Sequence, residues 1–345
     1  MSSEEPHLFR LPRPLRLESG ATLPRVEVTY HTYGRLNAAR DNVVWVCHAL
    51  TANADVLSWW PGLFGAGCHF DPADWFIVCA NVLGSCYGTT GPLTPDPLTE
   101  QPAYQHFPLL TIRDMVAAHE ALREHLALTS VHTLIGGSLG GQQAVEWAVQ
   151  RPELFENLVL LATSARHSAW GIAFNEAQRL AIFADPTYET ATPAGGAAGL
   201  RAARAVALLS YRSPDAYDRT QTDSDESKLD DYLASSYQRY QGDKLVARFN
   251  AYSYVTLSRA MDSHNVGRRR GGVAAALGRI RARTLVVGIS SDVLFPPQEQ
   301  QLLARHIRGA MYAEMDSHFG HDGFLIETAQ ITQFLERFYV QSYVH

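Results

Sequence analysis

Cysteine is scarce in this chain. There are 4 in 345 residues, and Cys47, Cys68, Cys79 and Cys86 show no CxxC spacing. That excludes a disulfide-dense scaffold and the usual zinc or redox pairs, and leaves buried free thiols as the expectation. Long apolar runs are missing too: stretches such as Val43–Cys47 and Leu158–Ala162 are strand-length, against the roughly 20 residues of a membrane helix. There is no basic excess, since Lys plus Arg total 29 against 35 Asp plus Glu, a net charge of −6. A nucleic-acid partner is therefore not expected. No HExxH occurs and no His, Asp and Glu stand at metal-ligand spacing, so neither a metal nor a resident cofactor is expected. The first twenty residues are polar, with nothing resembling a signal peptide, which predicts a cytoplasmic protein that does not engage membranes. What is present is an ordinary globular balance, 46% hydrophobic and 19% charged.

The order of patterns predicts an α/β fold. Val26–Tyr33 alternates, whereas VVWVC at Val43–Cys47 and WFIVC at Trp75–Cys79 are continuous apolar runs, the signature of strands covered on both faces. Ile112, Met115, Val116, His119, Leu122 and Leu126 then recur at helical spacing. A strand at Val131–Ile135, a helix over GQQAVEWAVQR and a strand at Asn157–Ala162 follow. Strands separated by helices imply a mostly parallel sheet with right-handed crossovers. From 165 to 277 the rhythm breaks into helices, expected at Asn175–Phe183, Gly199–Leu209, Leu229–Arg239 and Asp243–Met261. Sheet pattern returns with a strand at Arg283–Gly288, a helix at Pro296–Ile307, a strand at Met311–Met315 and a final helix at Gly323–Phe338. The reading is one catalytic α/β domain, residues 1–164 and 278–345, interrupted by a helical lid at 165–277. The basic run Arg268–Arg270 reads as a surface turn or a partner contact.

Gly136-Gly137-Ser138-Leu139-Gly140 matches G-x-S-x-G between a predicted strand and a predicted helix. In such a nucleophile elbow the serine sits on a tight turn that larger flanking residues would obstruct. A serine nucleophile needs a base and an orienting acid, expected in the chain order Ser, Asp or Glu, His. Asp292 follows the strand RTLVVG, and His321 falls in a loop before the final helix. Ser138, Asp292 and His321 are therefore the expected triad, with His318 and Asp316 as the nearest rivals. The oxyanion needs two N–H donors. Leu139, after the nucleophile, is one candidate, and Leu50, on the loop after VVWVC, is the other.

Beyond these motifs the chain resembles the homoserine O-acyltransferases of the α/β-hydrolase fold. The matching blocks include HALT at His48–Thr51, NVLGSCYGTTGP at Asn81–Pro92 and SARHSAWGIAFNEAQRLAI at Ser164–Ile182. GLRAAR at Gly199–Arg204, YQRYQGDKLVARFNAYSY at Tyr237–Tyr254, AMDSHNVGRRRGG at Ala260–Gly272, SSDVLFPP at Ser290–Pro297 and GHDGFLIE at Gly320–Glu327 continue it. The resemblance implies the same triad. It further implies that Arg204 grips the carboxylate of an amino-acid acceptor and that Asp322 holds its ammonium, with Arg179 the competitor to Arg204. The implied reaction is acetyl transfer from acetyl-CoA to L-homoserine through an acyl-serine, giving O-acetyl-L-homoserine for methionine synthesis. A homodimer paired through the lid is implied as well, for which Trp170, Ile172 and Phe174 offer apolar surface unless they line the pocket. Ala52 and Ser85 stand where relatives often carry glycine, near the expected acyl pocket. Succinyl-CoA users tend to carry arginine where this chain has Leu294, which favours the acetyl donor. A succinyl donor, a serine acceptor, or a plain esterase using water are the alternatives that remain.

Overall fold

The computed structural model describes residues 5–340. Numbering the strands of the main sheet and the helices of eight or more residues, the sheet comprises β1 (His7–Arg10), β2 (Glu27–Tyr33), β3 (Val43–Cys47), β4 (Phe76–Ala80), β5 (Val131–Gly137), β6 (Phe155–Leu161), β7 (Arg283–Ile289) and β8 (Met311–Met315). Their order across the sheet is β1-β2-β4-β3-β5-β6-β7-β8. All pairs from β4 to β8 are parallel, and β2 joins antiparallel to both β1 and β4. The apolar runs divide residue by residue between two core clusters. Val43, Trp45 and Cys47 enter one, while Val44 and Val46 enter the other. That is the burial a strand covered on both faces must have.

Helices α1 (Ile112–His125) and α2 (Leu139–Gln150) cover the first face through Met115, Val116, Leu122, Val145 and Ala148. The opposite face is covered by the Trp60–Phe64 region and by α9 (Thr328–Val340), through Ile331, Leu335 and Phe338. Helix α8 (Pro297–His306) follows β7. Between β6 and β7 the chain forms α3 (Ala169–Phe183), α4 (Ala197–Tyr211), α5 (Pro214–Gln221), α6 (Leu233–Val246) and α7 (Ala251–Asp262). The apolar cluster runs without a break from Trp45 and Met115 into Ile182, Leu200, Leu245 and Leu257 of these helices. This packing holds the insertion over one end of the sheet.

Several element boundaries depart from expectation, each for a local reason. The Asp243–Met261 helix is divided between α6 and α7, because the Asn250 side chain accepts from the Ser253 N–H and starts a new helix. Helix α5 was not anticipated, although Ser213 caps it and Pro214 occupies its first position, both ordinary start signals. The final helix breaks at Glu327, leaving the short Gly323–Ile326 turn ahead of α9. Strand β1, also unanticipated, is an edge strand with three exposed residues, so its pattern carries little periodic signal.

The Arg268–Arg270 run is an intramolecular clamp. Arg270 and Arg113 of α1 both bind the fully buried Glu146 of α2, at 2.6 and 3.2 Å, while Arg268 and Arg113 share Glu18 at 2.7 and 2.9 Å. Replacing Glu146 with alanine leaves the poorly solvated Arg270 guanidinium without its carboxylate and Arg113 with Glu18 alone. The expected loss is about 3 kcal/mol, the lower end for removing one partner of a buried pair, measured as a lowered denaturation midpoint at unchanged slope.

Candidate active site

Strand β5 runs directly into α2, and Ser138 is the residue at the corner. Its backbone lies at φ 56 and ψ −125, a region that costs about 1–3 kcal/mol and persists only where the surroundings enforce it. The enforcing bonds are visible. The Ser138 N–H donates to the Leu161 carbonyl at 3.0 Å, and its own carbonyl accepts from Thr163 Oγ1 at 2.8 Å. Space is equally tight: a Cβ on Gly136 would stand 2.4 Å from the Gly140 backbone, and one on Gly140 would stand 2.0 Å from the Cys47 carbonyl oxygen. The flanking glycines are therefore obligatory.

His321 lies between the other two expected residues. Its Nε2 is 2.8 Å from Ser138 Oγ and its Nδ1 is 2.6 Å from Asp292 Oδ2. The second carboxylate oxygen of Asp292 accepts from the N–H groups of Leu294 at 2.8 Å and Phe295 at 2.9 Å. With both oxygens engaged and the side chain buried, the carboxylate cannot turn away from the imidazole. The Phe295 ring stacks on His321 with centroids 5.1 Å apart, and Phe324 meets it edge-on at 5.4 Å. This is the geometry of a serine activated by an oriented imidazole. The rivals stand elsewhere: His318 is exposed and pairs with Asp215 at 2.7 Å, and Asp316 is exposed beside Ser290.

Leu139 is the first residue of α2, where a helix leaves its N–H groups without intrahelical acceptors. Among the described residues nothing accepts a hydrogen bond from the Leu50 N–H. Ser138 and His321 open onto a cavity of about 610 Å³ whose lining also includes Leu50, Arg204, Tyr211, Asp322 and Phe324. That volume suits a small-molecule site. Arg204 has no acidic partner among the described residues; its guanidinium lies 5.4 Å from the Tyr211 ring centroid and its buried Nε is unpaired. Arg179, the competitor, is buried away from the cavity against Glu176 and Asp262, both at 2.6 Å.

Asp322 is already partnered. Its Oδ2 accepts from Arg212 Nε at 2.9 Å, an interaction the sequence reading missed. Arg212 is the extended residue that ends α4, beyond the expected Gly199–Leu209 helix, so helical spacing gave no signal for it. Also unforeseen were Lys244 and Arg248 at the cavity wall, the latter donating to the Thr51 carbonyl and the Tyr87 hydroxyl. Of the residues tied to donor choice, Ala52 lines the cavity, whereas Ser85 and Leu294 are buried elsewhere. The Leu294 backbone N–H is drawn to Asp292 and its side chain packs into the core.

The alpha/beta hydrolase fold family model matches residues 42–328. The homoserine O-acetyltransferase of Cyclobacterium marinum is 46% identical, covering 99% of this chain and 99% of its own. The solved homoserine O-acetyltransferase of Staphylococcus aureus superposes with a TM-score of 0.80 at 30% identity, over 96% of this chain and 95% of that one. Esterase E22 superposes with a TM-score of 0.88 over 97% and 99% of the two chains, at 22% identity, a likeness of fold alone. With its elbow, its strand order and these relatives, the chain belongs to the alpha/beta hydrolase fold family and, within it, to the homoserine O-acetyltransferases.

Proposed function

We propose that the protein transfers the acetyl group of acetyl-CoA to the side-chain hydroxyl of L-homoserine, through an acetyl-Ser138 intermediate, as a step of methionine synthesis. The observation that carries this reading is the presence of two opposite charges, Arg204 and Asp322, in the lining of the same cavity as Ser138 and His321. A free amino acid presents a carboxylate and an ammonium, and a guanidinium and a carboxylate are their natural partners. An ester hydrolase using water has no need of either.

In the first half-reaction His321 Nε2 takes the Ser138 proton as Oγ attacks the thioester carbonyl. The developing oxyanion is held by the N–H groups of Leu139 and Leu50. Collapse expels CoA as its thiol, with the proton returned by His321. In the second half His321 removes the homoserine hydroxyl proton as its oxygen attacks acetyl-Ser138; collapse breaks the acetyl–Oγ bond, releases O-acetyl-L-homoserine, and His321 returns the proton to Ser138 Oγ. Arg204 and Asp322 hold the acceptor by its two charges. Because one oxygen of Asp322 is engaged by Arg212, the ammonium falls to the other, which narrows the acceptor's orientations. Orientation matters against water, since effective molarities of positioned groups reach about 10⁵ M or more. Lys244 and Arg248, without acidic partners among the described residues, suit the phosphates of a CoA donor. A cytoplasmic location belongs to the same reading, in keeping with four free cysteines.

The deciding assay measures CoA release from acetyl-CoA with and without homoserine. Release that requires homoserine is expected; release at the same rate without it would make the protein a hydrolase. Intact mass after brief exposure to acetyl-CoA should show an acetyl adduct on the wild type and none on Ser138→Ala.

Asp322→Asn should lower kcat/KM for homoserine by roughly ten- to a hundredfold, as the loss of a charged hydrogen bond implies. Arg204→Lys should act alike, because an ammonium cannot reproduce a fork on a carboxylate. In both variants kcat/KM for acetyl-CoA should change far less. Slowed acylation with an unchanged homoserine term would move the pair to the donor side.

We also propose a homodimer through the lid. Trp170, Ile172 and Leu180 of α3 are exposed, and Phe174 packs edge-on against Trp170; none of them lines the cavity. Light scattering at micromolar concentration should give twice the chain mass, and Leu180→Arg should shift it toward the monomer.

A further inference from the structure

One fully buried histidine outside the Ser138–His321–Asp292 chain is built into the loop that carries Leu50. His48 directly follows β3. Its Nε2 lies 2.9 Å from the Val82 backbone nitrogen, and its Nδ1 lies 2.8 Å from the Ala49 carbonyl oxygen. A backbone N–H only donates and a carbonyl only accepts, so Nε2 is the acceptor and Nδ1 carries the proton. One neutral tautomer satisfies both contacts. Burial agrees with this, pushing the imidazole pKa down to about 4.

The Ala49 carbonyl belongs to the same peptide unit as the Leu50 N–H. No described peptide bond is cis, so the C=O and the N–H point in opposite directions across one plane. Fixing the carbonyl therefore fixes the N–H. Two donors hold that carbonyl, His48 Nδ1 and the Ala52 N–H at 3.1 Å. A third contact ties the loop to α2, since Gln143 Nε2 donates to the His48 carbonyl at 3.3 Å. Ala49 and Leu50 line the cavity that also holds Ser138, and among the described residues the Leu50 N–H has no acceptor.

We propose that His48 is a positioning residue for acyl transfer: by holding the Ala49 carbonyl through Nδ1–H, it aims the Leu50 N–H at the oxyanion formed on Ser138. This rests on the acyl-serine reading given above. It differs from a packing role because the effect passes through one ring nitrogen. A hydrophobic residue of similar bulk would fill the space and leave the peptide plane free to turn.

Three variants separate these possibilities. Asparagine can bring an amide nitrogen close to the Nδ1 position, whereas glutamine reaches toward Nε2 and leucine offers neither. His48→Asn should acylate within about fivefold of wild type, while His48→Gln and His48→Leu should lose roughly 10²–10³-fold, the scale of one missing oxyanion donor. The rate is read by intact mass in a single turnover with acetyl-CoA. Affinity for CoA, read by calorimetry, should stay within about threefold in all three, because the donor acts on the transition state and not on ground-state binding. Circular dichroism and thermal melting verify folding. A folded His48→Leu that acylates like wild type, or Asn and Gln variants equally impaired, would overturn the proposal. Should His48→Leu fail to fold, the difference between the Asn and Gln variants decides alone. A wild type that forms no acetyl adduct would instead bring down the acyl-serine reading beneath it.

Discussion

The approach of α2 to the end of β3 is the constraint on which the rest of the site depends. With hydrogen alone at Gly140, the helix backbone comes against the Cys47 carbonyl, where a Cβ would stand only 2.0 Å away. This closeness brings three things to one place: the strained Ser138 corner, the N–H groups at the start of α2, and the loop from His48 to Thr51 that leaves β3. Overpacking at that point would cost about 1–3 kcal/mol in stability. Its larger effect would be to separate the nucleophile from the groups that answer its developing charge. The parallel pairing of β3 with β5 sets this distance, because both strands end at the same edge of the sheet.

The groups of the cavity come from both parts of the chain. Ser138, Asp292 and His321 stand on turns at the carboxyl ends of β5, β7 and β8, where an open parallel sheet exposes its loops. The cationic groups that line the cavity, Arg204, Lys244 and Arg248, come from the segment between β6 and β7, as does Arg212, which binds Asp322 from outside the lining. Among the described residues Asp322 is the one carboxylate that lines the cavity, and it binds across to Arg212 at 2.9 Å. That contact ties the lid directly to the residue following the catalytic imidazole. Burial raises the pKa of Tyr211 and of Tyr254, so their phenols stay neutral beside Arg204 and offer hydrogen-bonding groups without a competing charge. In the proposed function this segment shapes which molecule reaches Ser138, and Ser138, His321 and Asp292 lie outside it.

Much of this arrangement was legible in the chain itself. Continuous apolar runs such as VVWVC announced strands buried on both faces, and G-x-S-x-G between a strand and a helix announced the elbow. The loops after RTLVVG and MYAEM pointed to Asp292 and His321, because a catalytic residue must follow a strand end to reach the common edge. The lid was less legible. Its helices lack a single apolar stripe with clean ends, and the Asn250 cap and the Ser213-Pro214 start were overlooked amid otherwise helical sequence.

What the chain alone determined was therefore local: element types, the order of the nucleophile, acid and base, and the residues whose spacing resembles the homoserine O-acyltransferases. What only the tertiary structure decided were relations between distant residues. The 2.8 Å contact to Ser138 belongs to His321 and not to His318, and of the two arginines Arg204 lines the cavity while Arg179 is held by Asp262. The Arg212–Asp322 pair, the Glu146 clamp and the hold of His48 on the Leu50 peptide belong to the same class. The first two join side chains far apart in sequence, and the third, though made to the adjacent Ala49 carbonyl, depends on the Val82 N–H, 34 residues on, to fix the ring. Hydrogen bonds and ion pairs act over about 3 Å, a distance that residue order does not encode and that only the packed sheet and lid can set.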